Sequence, residues 1–83
     1  MYITNYEISD DTQWKLNIVQ RNLRIPNWID LIPEAQEQML NEVIGLSEEL
    51  PLSIYQNLTS TLGKLIQHSP AHLKPVILEI TSN

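Results

Sequence analysis

The stretch from Pro33 to Leu50 constrains this chain more than any other. It reads Pro-Glu-Ala-Gln-Glu-Gln-Met-Leu-Asn-Glu-Val-Ile-Gly-Leu-Ser-Glu-Glu-Leu. Wound as an α-helix, it gathers Ala35, Met39, Leu40, Val43, Ile44, Leu46 and Leu50 on one half. The other half carries Glu34, Glu37, Gln38, Asn41, Glu42, Gly45, Glu48 and Glu49. The dry half must bury against something. The wet half is acidic or amide and contains no cation.

The rest of the chain has to supply what covers that dry half. With 83 residues there is one domain at most. A chain of this size buries only roughly 60% of its unfolded surface, so a monomer lies near the lower limit for a core. The apolar fraction of 42%, mostly Leu and Ile, suffices for one. Phe is absent, which leaves Trp14, Trp28 and the tyrosines as the expected bulky anchors of the core. Cysteine is absent too, so disulfides, thiolate metal sites and a cysteine nucleophile are excluded. Met1 to Glu7 has no basic region followed by an apolar run of signal-peptide length. No run approaches ~18 apolar residues, the length needed to span a membrane. The expected setting is cytoplasmic, and Asn57-Leu58-Thr59 reads as a chance match to the glycosylation sequon.

Two further helical patterns flank the central one. Glu49-Leu50-Pro51-Leu52-Ser53 is a break, after which Ile54, Leu58, Leu62, Leu65 and Ile66 form an apolar stripe with Tyr55 at its edge. The two stretches, about 33–49 and 52–68, are predicted to form an antiparallel helical hairpin, because so short a connection makes consecutive helices neighbours. Ser69-Pro70 reads as cap and first helical position. Leu73, Val76, Ile77 and Ile80 then recur at helix spacing, predicting a helix over about 70–81 with a kink near Pro75. Pro75 and the β-branched pair Val76-Ile77 support the alternative of a terminal strand over 76–80.

The N-terminal third is more ambiguous. Tyr2 to Ile8 alternates and favours a short strand or extended arm. Ser9 to Thr12 reads as a turn or a helix start, with Asp10 and Gln13 resembling a capping box. Trp14 to Val19 fits a second strand, or a helix with Trp14/Ile18 and Leu16/Val19/Leu23 as adjacent rows. Residues 20–24 continue the apolar row and favour the helix, which Pro26 ends. Asn27 to Ile32 is a connector dense in apolar groups, with Trp28 and Ile32 plugging one end of the core and Asp30 capping the next helix. The fold class is therefore mostly α, a small helical bundle. An α+β arrangement with strands at 2–8 and 76–80 is the alternative.

Charge is distributed unevenly. The net charge is −5, and residues 25–63 hold Asp30, Glu34, Glu37, Glu42, Glu48 and Glu49 without a single Lys or Arg. Such a surface repels a phosphate backbone and attracts a basic protein surface, chiefly through the association rate. Lys15, Arg21 and Arg24, interleaved with Asn17, Gln20 and Asn22, form the one basic cluster. It supports an alternative reading as a small dimeric DNA-binding regulator.

Signals for chemistry are weak. His68 and His72 are four apart, a zinc-binding spacing on a continuous helix, but Ser69-Pro70 breaks the helix between them. Glu48-Glu49 and Glu34/Glu37 lie on a wet face, where nothing raises a carboxyl pKa into the range of a general acid. Gly45 and Gly63 are too far apart for a phosphate-binding loop. The chain is thus expected to be no enzyme and to need no cofactor or metal. It reads as a protein–protein interaction module, adaptor or inhibitor whose partner presents a basic surface, including one that itself binds nucleic acid. The expected contact residues are Glu34, Glu37, Glu42, Glu48 and Glu49, with Arg21 and Arg24 as a second polar patch. A homodimer, or a place in a larger complex, is expected for so short a chain.

Overall fold

The computed structural model describes residues 8–82. Its elements are α1 (Asp10–Asn22), α2 (Ile25–Asp30), α3 (Pro33–Leu46), α4 (Leu52–Gly63), a 3₁₀ turn (Ile66–His68) and α5 (Lys74–Thr81). The fold is mostly α, and no strand occurs among the described residues. Residues 76–80 lie inside α5, so the alternative of a C-terminal strand is corrected. The arm or strand expected over 2–8 falls outside the described residues, save Ile8, which is half-buried against the core.

Prolines set most of the helix starts. Pro26, Pro33 and Pro75 occupy the first turns of α2, α3 and α5, and Pro51 is the N-cap of α4. At these positions a fixed φ is already helical and the missing N–H has no partner to lose. Two expectations are corrected for this reason. Pro26 opens a helix of its own, and α1 has already stopped at Asn22. Pro75 starts the last helix instead of kinking it, so that helix runs from Lys74 and residues 71–73 form a turn. Ser69 and Asp30 cap nothing: Ser69 is buried, and α3 has Ile32 as its N-cap without a side-chain bond. The cap of α1 lies one residue before the expected Asp10. Ser9 Oγ accepts from the Thr12 backbone N–H at 3.1 Å, and Asp10 and Asp11 fill the first turn, where acids suit the helix dipole.

One cluster of buried residues holds the helices together. It contains Leu16, Val19 and Leu23 from α1 and its end, Trp28 from α2, and Leu40, Val43 and Leu46 from α3. Leu58 and Leu62 from α4 and Ile77 and Ile80 from α5 complete it, with Leu50, Leu65 and Leu73 from the connections. The central helices are shorter than their patterns, ending at Leu46 and Gly63. They contact each other, but α3 packs chiefly on α1, and α4 chiefly on α5. Of the dry half expected over 33–50, Leu40, Val43, Leu46 and Leu50 are therefore closed inside the protein's own core, whereas Ile44 stays 47% exposed and Met39 is only partly buried.

Trp28 is the pivot of this arrangement. It is fully buried, and its Nε1–H donates to Ser69 Oγ at 3.0 Å. Ser69 Oγ donates in turn to the Leu65 carbonyl at 2.7 Å, and the buried Gln36 Nε2 donates to the Trp28 carbonyl at 2.9 Å. This chain of bonds ties α2 to α3 on one side and to the end of the 3₁₀ turn on the other. A buried indole N–H without an acceptor would cost about 1–3 kcal/mol, so Ser69 has a structural task. Trp14, by contrast, is 64% exposed and does not anchor the core. Its row on α1 points to one side of the row formed by Leu16, Val19 and Leu23, and only the latter is buried.

Candidate functional site

The exposed Trp14 stands over a groove between α1 and α3. Trp14, Ile18, Val19 and Met39 form its apolar walls, and Asp11, Lys15, Gln38 and Glu42 its polar rim, around about 210 Å³. A second groove, about 240 Å³, continues past it along α3, lined by Lys15, Asn41, Glu42, Gly45, Leu46 and Glu49. Lys15 and Glu42 belong to both.

Lys15 is the electrostatic centre of this surface. Its Nζ lies 3.3 Å from Asp11 Oδ2, one helical turn back. The ammonium is held above the ordinary lysine pKa by its hydrogen bond to Asp11, then by the charge of Asp11, then by Glu49 and, more weakly, Glu42. One cation thus faces three carboxylates, and the rim keeps an excess of negative charge. The wet half of α3 does meet a cation after all, supplied by α1. Glu49 has a further partner: it accepts a short hydrogen bond from Thr12 Oγ1, which itself accepts from Ser9 Oγ at 2.9 Å. That chain joins the start of α1 to the turn after α3, so Glu49 has a share in the fold.

The expected contact residues therefore divide. Glu42 and Glu49 are brought together around Lys15. Glu34 and Glu37 sit exposed on the first half of α3, and Glu48 is exposed in the turn after it. These three hold no ion-pair partner among the described residues. Arg21 and Arg24 share a separate, shallow groove with Asn17, Gln20 and Asn27. Lys15 lines none of it, so the three cations do not act on one surface. Asn22 is diverted as well: its amide donates to the Ile18 carbonyl at 3.0 Å and approaches the Met39 sulfur at 3.5 Å.

Residues that the chain's pattern did not assign to a surface are Trp14, Ile18 and Met39. The signal for Trp14 and Ile18 was the pair of adjacent apolar rows on α1, more than one helix face can bury against a single neighbour. Gly45 is likewise open: a Cβ there would have nothing within 4 Å. His68 and His72 are both exposed, and no group of three or more acidic, Cys or His side chains among the described residues is placed to hold a metal ion. Tyr55 has its phenol pKa raised by burial and lines a different groove with Ile44, Val76 and Ile80. No helix among the described residues is long and apolar enough to cross a membrane. Comparison with protein-family models, with curated proteins and with solved structures finds no match.

Proposed function

We propose that this protein is a non-catalytic interaction module that takes a basic, partly apolar segment of a partner protein into the α1–α3 groove. The observation that carries the reading is the exposed Trp14 beside Ile18 and Met39, rimmed by Asp11 and Glu42. A large indole left in water beside half-buried aliphatic and thioether groups is the usual core of a protein contact, and an acidic rim selects for cations. An arginine of the partner can stack on the Trp14 face while pairing with Glu42 or Asp11. Glu34, Glu37 and Glu48 extend the negative field and speed encounter with a basic surface, including one that otherwise holds nucleic acid. Self-association is a separate part of the reading. Leu40, Val43 and Leu46 of α3 are already closed in the core, so a homodimer must use other apolar surface.

Selection from a displayed library of random peptides tests the proposal. The expected winners carry Lys or Arg beside a bulky apolar residue, lose affinity as salt rises, and fail on Trp14→Ala and Glu42→Lys variants. Winners without an excess of cations, or binding indifferent to both substitutions, would overturn it. Retention on DNA-cellulose at low salt, abolished by Arg21→Ala with Arg24→Ala, would instead establish the nucleic-acid alternative.

A further inference from the structure

Arg21 and Arg24 are the cations that the α1–α3 groove leaves unused. Both line a shallow groove of about 370 Å³ with Asn17, Gln20 and Asn27. Gln20 and Arg24 also line an adjoining groove of about 410 Å³, shared with the buried Leu23 and Leu58 and with the exposed Asn57 and Thr61 of α4. The common residues make the two grooves one band across the end of α1 and α4. No Asp or Glu lines either part.

Folding does not account for these two charges. The chain has ten acidic residues against five Lys and Arg, yet neither guanidinium has a hydrogen bond or ion pair among the described residues. Arg21, in the last turn of α1, suits that helix's dipole, but Arg24 is the N-cap of α2, where a cation is unfavourable. The Arg24 N–H donates to the Arg21 carbonyl at 3.5 Å, so the two residues lie one turn apart, and Asn27 Nδ2 donates to the same carbonyl at 2.8 Å. Asn17 Oδ1 accepts from Gln13 Nε2 at 3.0 Å, which leaves the Asn17 N–H donors for the groove. The Gln20 and Asn57 amides have no partner among the described residues.

This inventory is complementary to an acidic peptide. Each guanidinium fork matches one carboxylate, and a free primary amide offers a donor and an acceptor to a peptide group. In an extended chain, alternate side chains point the same way roughly 7 Å apart, close to the ~5–6 Å between residues one helical turn apart. Nucleic acid fits less well, because two cations hold few phosphates and a net charge of −5 repels the rest of a polyanion. We infer that the band takes an extended acidic segment of a partner protein. Two carboxylates on alternate residues meet Arg21 and Arg24, and Gln20 and Asn57 hold the backbone between them. The surface is separate from the one proposed for a basic partner, since no residue of the α1–α3 groove lines the band.

An NMR titration of the nitrogen-15-labelled chain tests this. The probes are the end-capped peptide Gly-Ser-Glu-Ser-Glu-Ser-Gly, the same peptide with Gln for both Glu, and a single-stranded oligothymidine. The Glu peptide is expected to shift backbone amides within residues 17–27 and 57–61, and the Gln peptide to leave them in place. Arg21→Glu and Arg24→Glu each weaken the Glu peptide by about tenfold or more, because a like charge then faces its carboxylates. Both side chains are exposed, so the variants keep the wild-type circular dichroism spectrum. No shift with the Glu peptide, shifts elsewhere only, equal binding of the Gln peptide, or binding indifferent to both reversals overturns the inference. An oligothymidine that shifts the same amides with higher affinity overturns it in favour of nucleic acid. Trp14→Ala binds the Glu peptide as well as wild type does, so either proposal can fail while the other stands.

Discussion

Ser69→Ala removes one oxygen from a residue that the sequence presents as a helix cap before a proline. In the fold that oxygen accepts the Trp28 indole N–H at 3.0 Å in a fully buried setting. Alanine leaves the donor without an acceptor and without room for bulk water. The cost of a buried unsatisfied donor is about 1–3 kcal/mol. The lost bond from Ser69 to the Leu65 carbonyl places the expectation near the middle, about 2 kcal/mol. A domain of this length has roughly 4–12 kcal/mol in all, so that is a substantial share. At ~4–8 °C per kcal/mol the melting temperature falls by on the order of 10 °C. The assay is urea unfolding followed by circular dichroism and, in a Trp14→Phe background, by the fluorescence of Trp28 alone. A double-mutant cycle isolates the bond: in a Trp28→Phe background there is no indole N–H, and Ser69→Ala should then cost at least about 1 kcal/mol less. A loss within ±0.5 kcal/mol, as for a surface serine, or an equal loss in both backgrounds, would refute the reasoning.

Two further outcomes follow from the α1–α3 surface. Gly45→Ala should stabilise the protein by about 0.5–1 kcal/mol in urea unfolding. The position is exposed in the last turn of α3, where a new methyl meets nothing within 4 Å; a loss of stability would show a hidden contact there. Lys15 should titrate above the ordinary lysine value in a carbon-detected NMR titration, falling back most in Asp11→Asn and less in Glu49→Gln. Because its folded pKa is raised, its stabilisation is fully present below the unfolded value of about 10.4 and is lost as pH rises through the folded one. A larger effect of Glu49→Gln than of Asp11→Asn would reverse the order of causes.

Fold class was legible because helix periodicity is a local property. The stripes at Leu40/Val43/Leu46, Leu58/Leu62/Leu65 and Leu73/Ile77/Ile80 follow directly from spacing, and each is buried as that spacing requires. The helix starts were less legible, since a proline reads equally as the end of one helix and the beginning of the next. The candidate site was legible in its chemistry but not in its layout. Acidic residues could be counted along α3, yet only the approach of α1 places Lys15 among Asp11, Glu42 and Glu49 and engages Glu49 with Thr12.

The two tryptophans separate the two kinds of information most sharply. Composition makes both of them candidates for the core, and nothing in their immediate neighbours divides them. Burial depends on which neighbour covers a face. Trp28 is enclosed because α3 and the 3₁₀ turn close over α2 and offer its N–H an acceptor from a residue far along the chain. Trp14 is left in water because α1 turns the Leu16/Val19/Leu23 row to its neighbours, and one helix cannot bury both rows in so small a domain. Periodicity along the chain settles that helices form and which residues share a face. Which apolar faces stay open to a partner is set by packing between segments distant in sequence, and no local pattern records it.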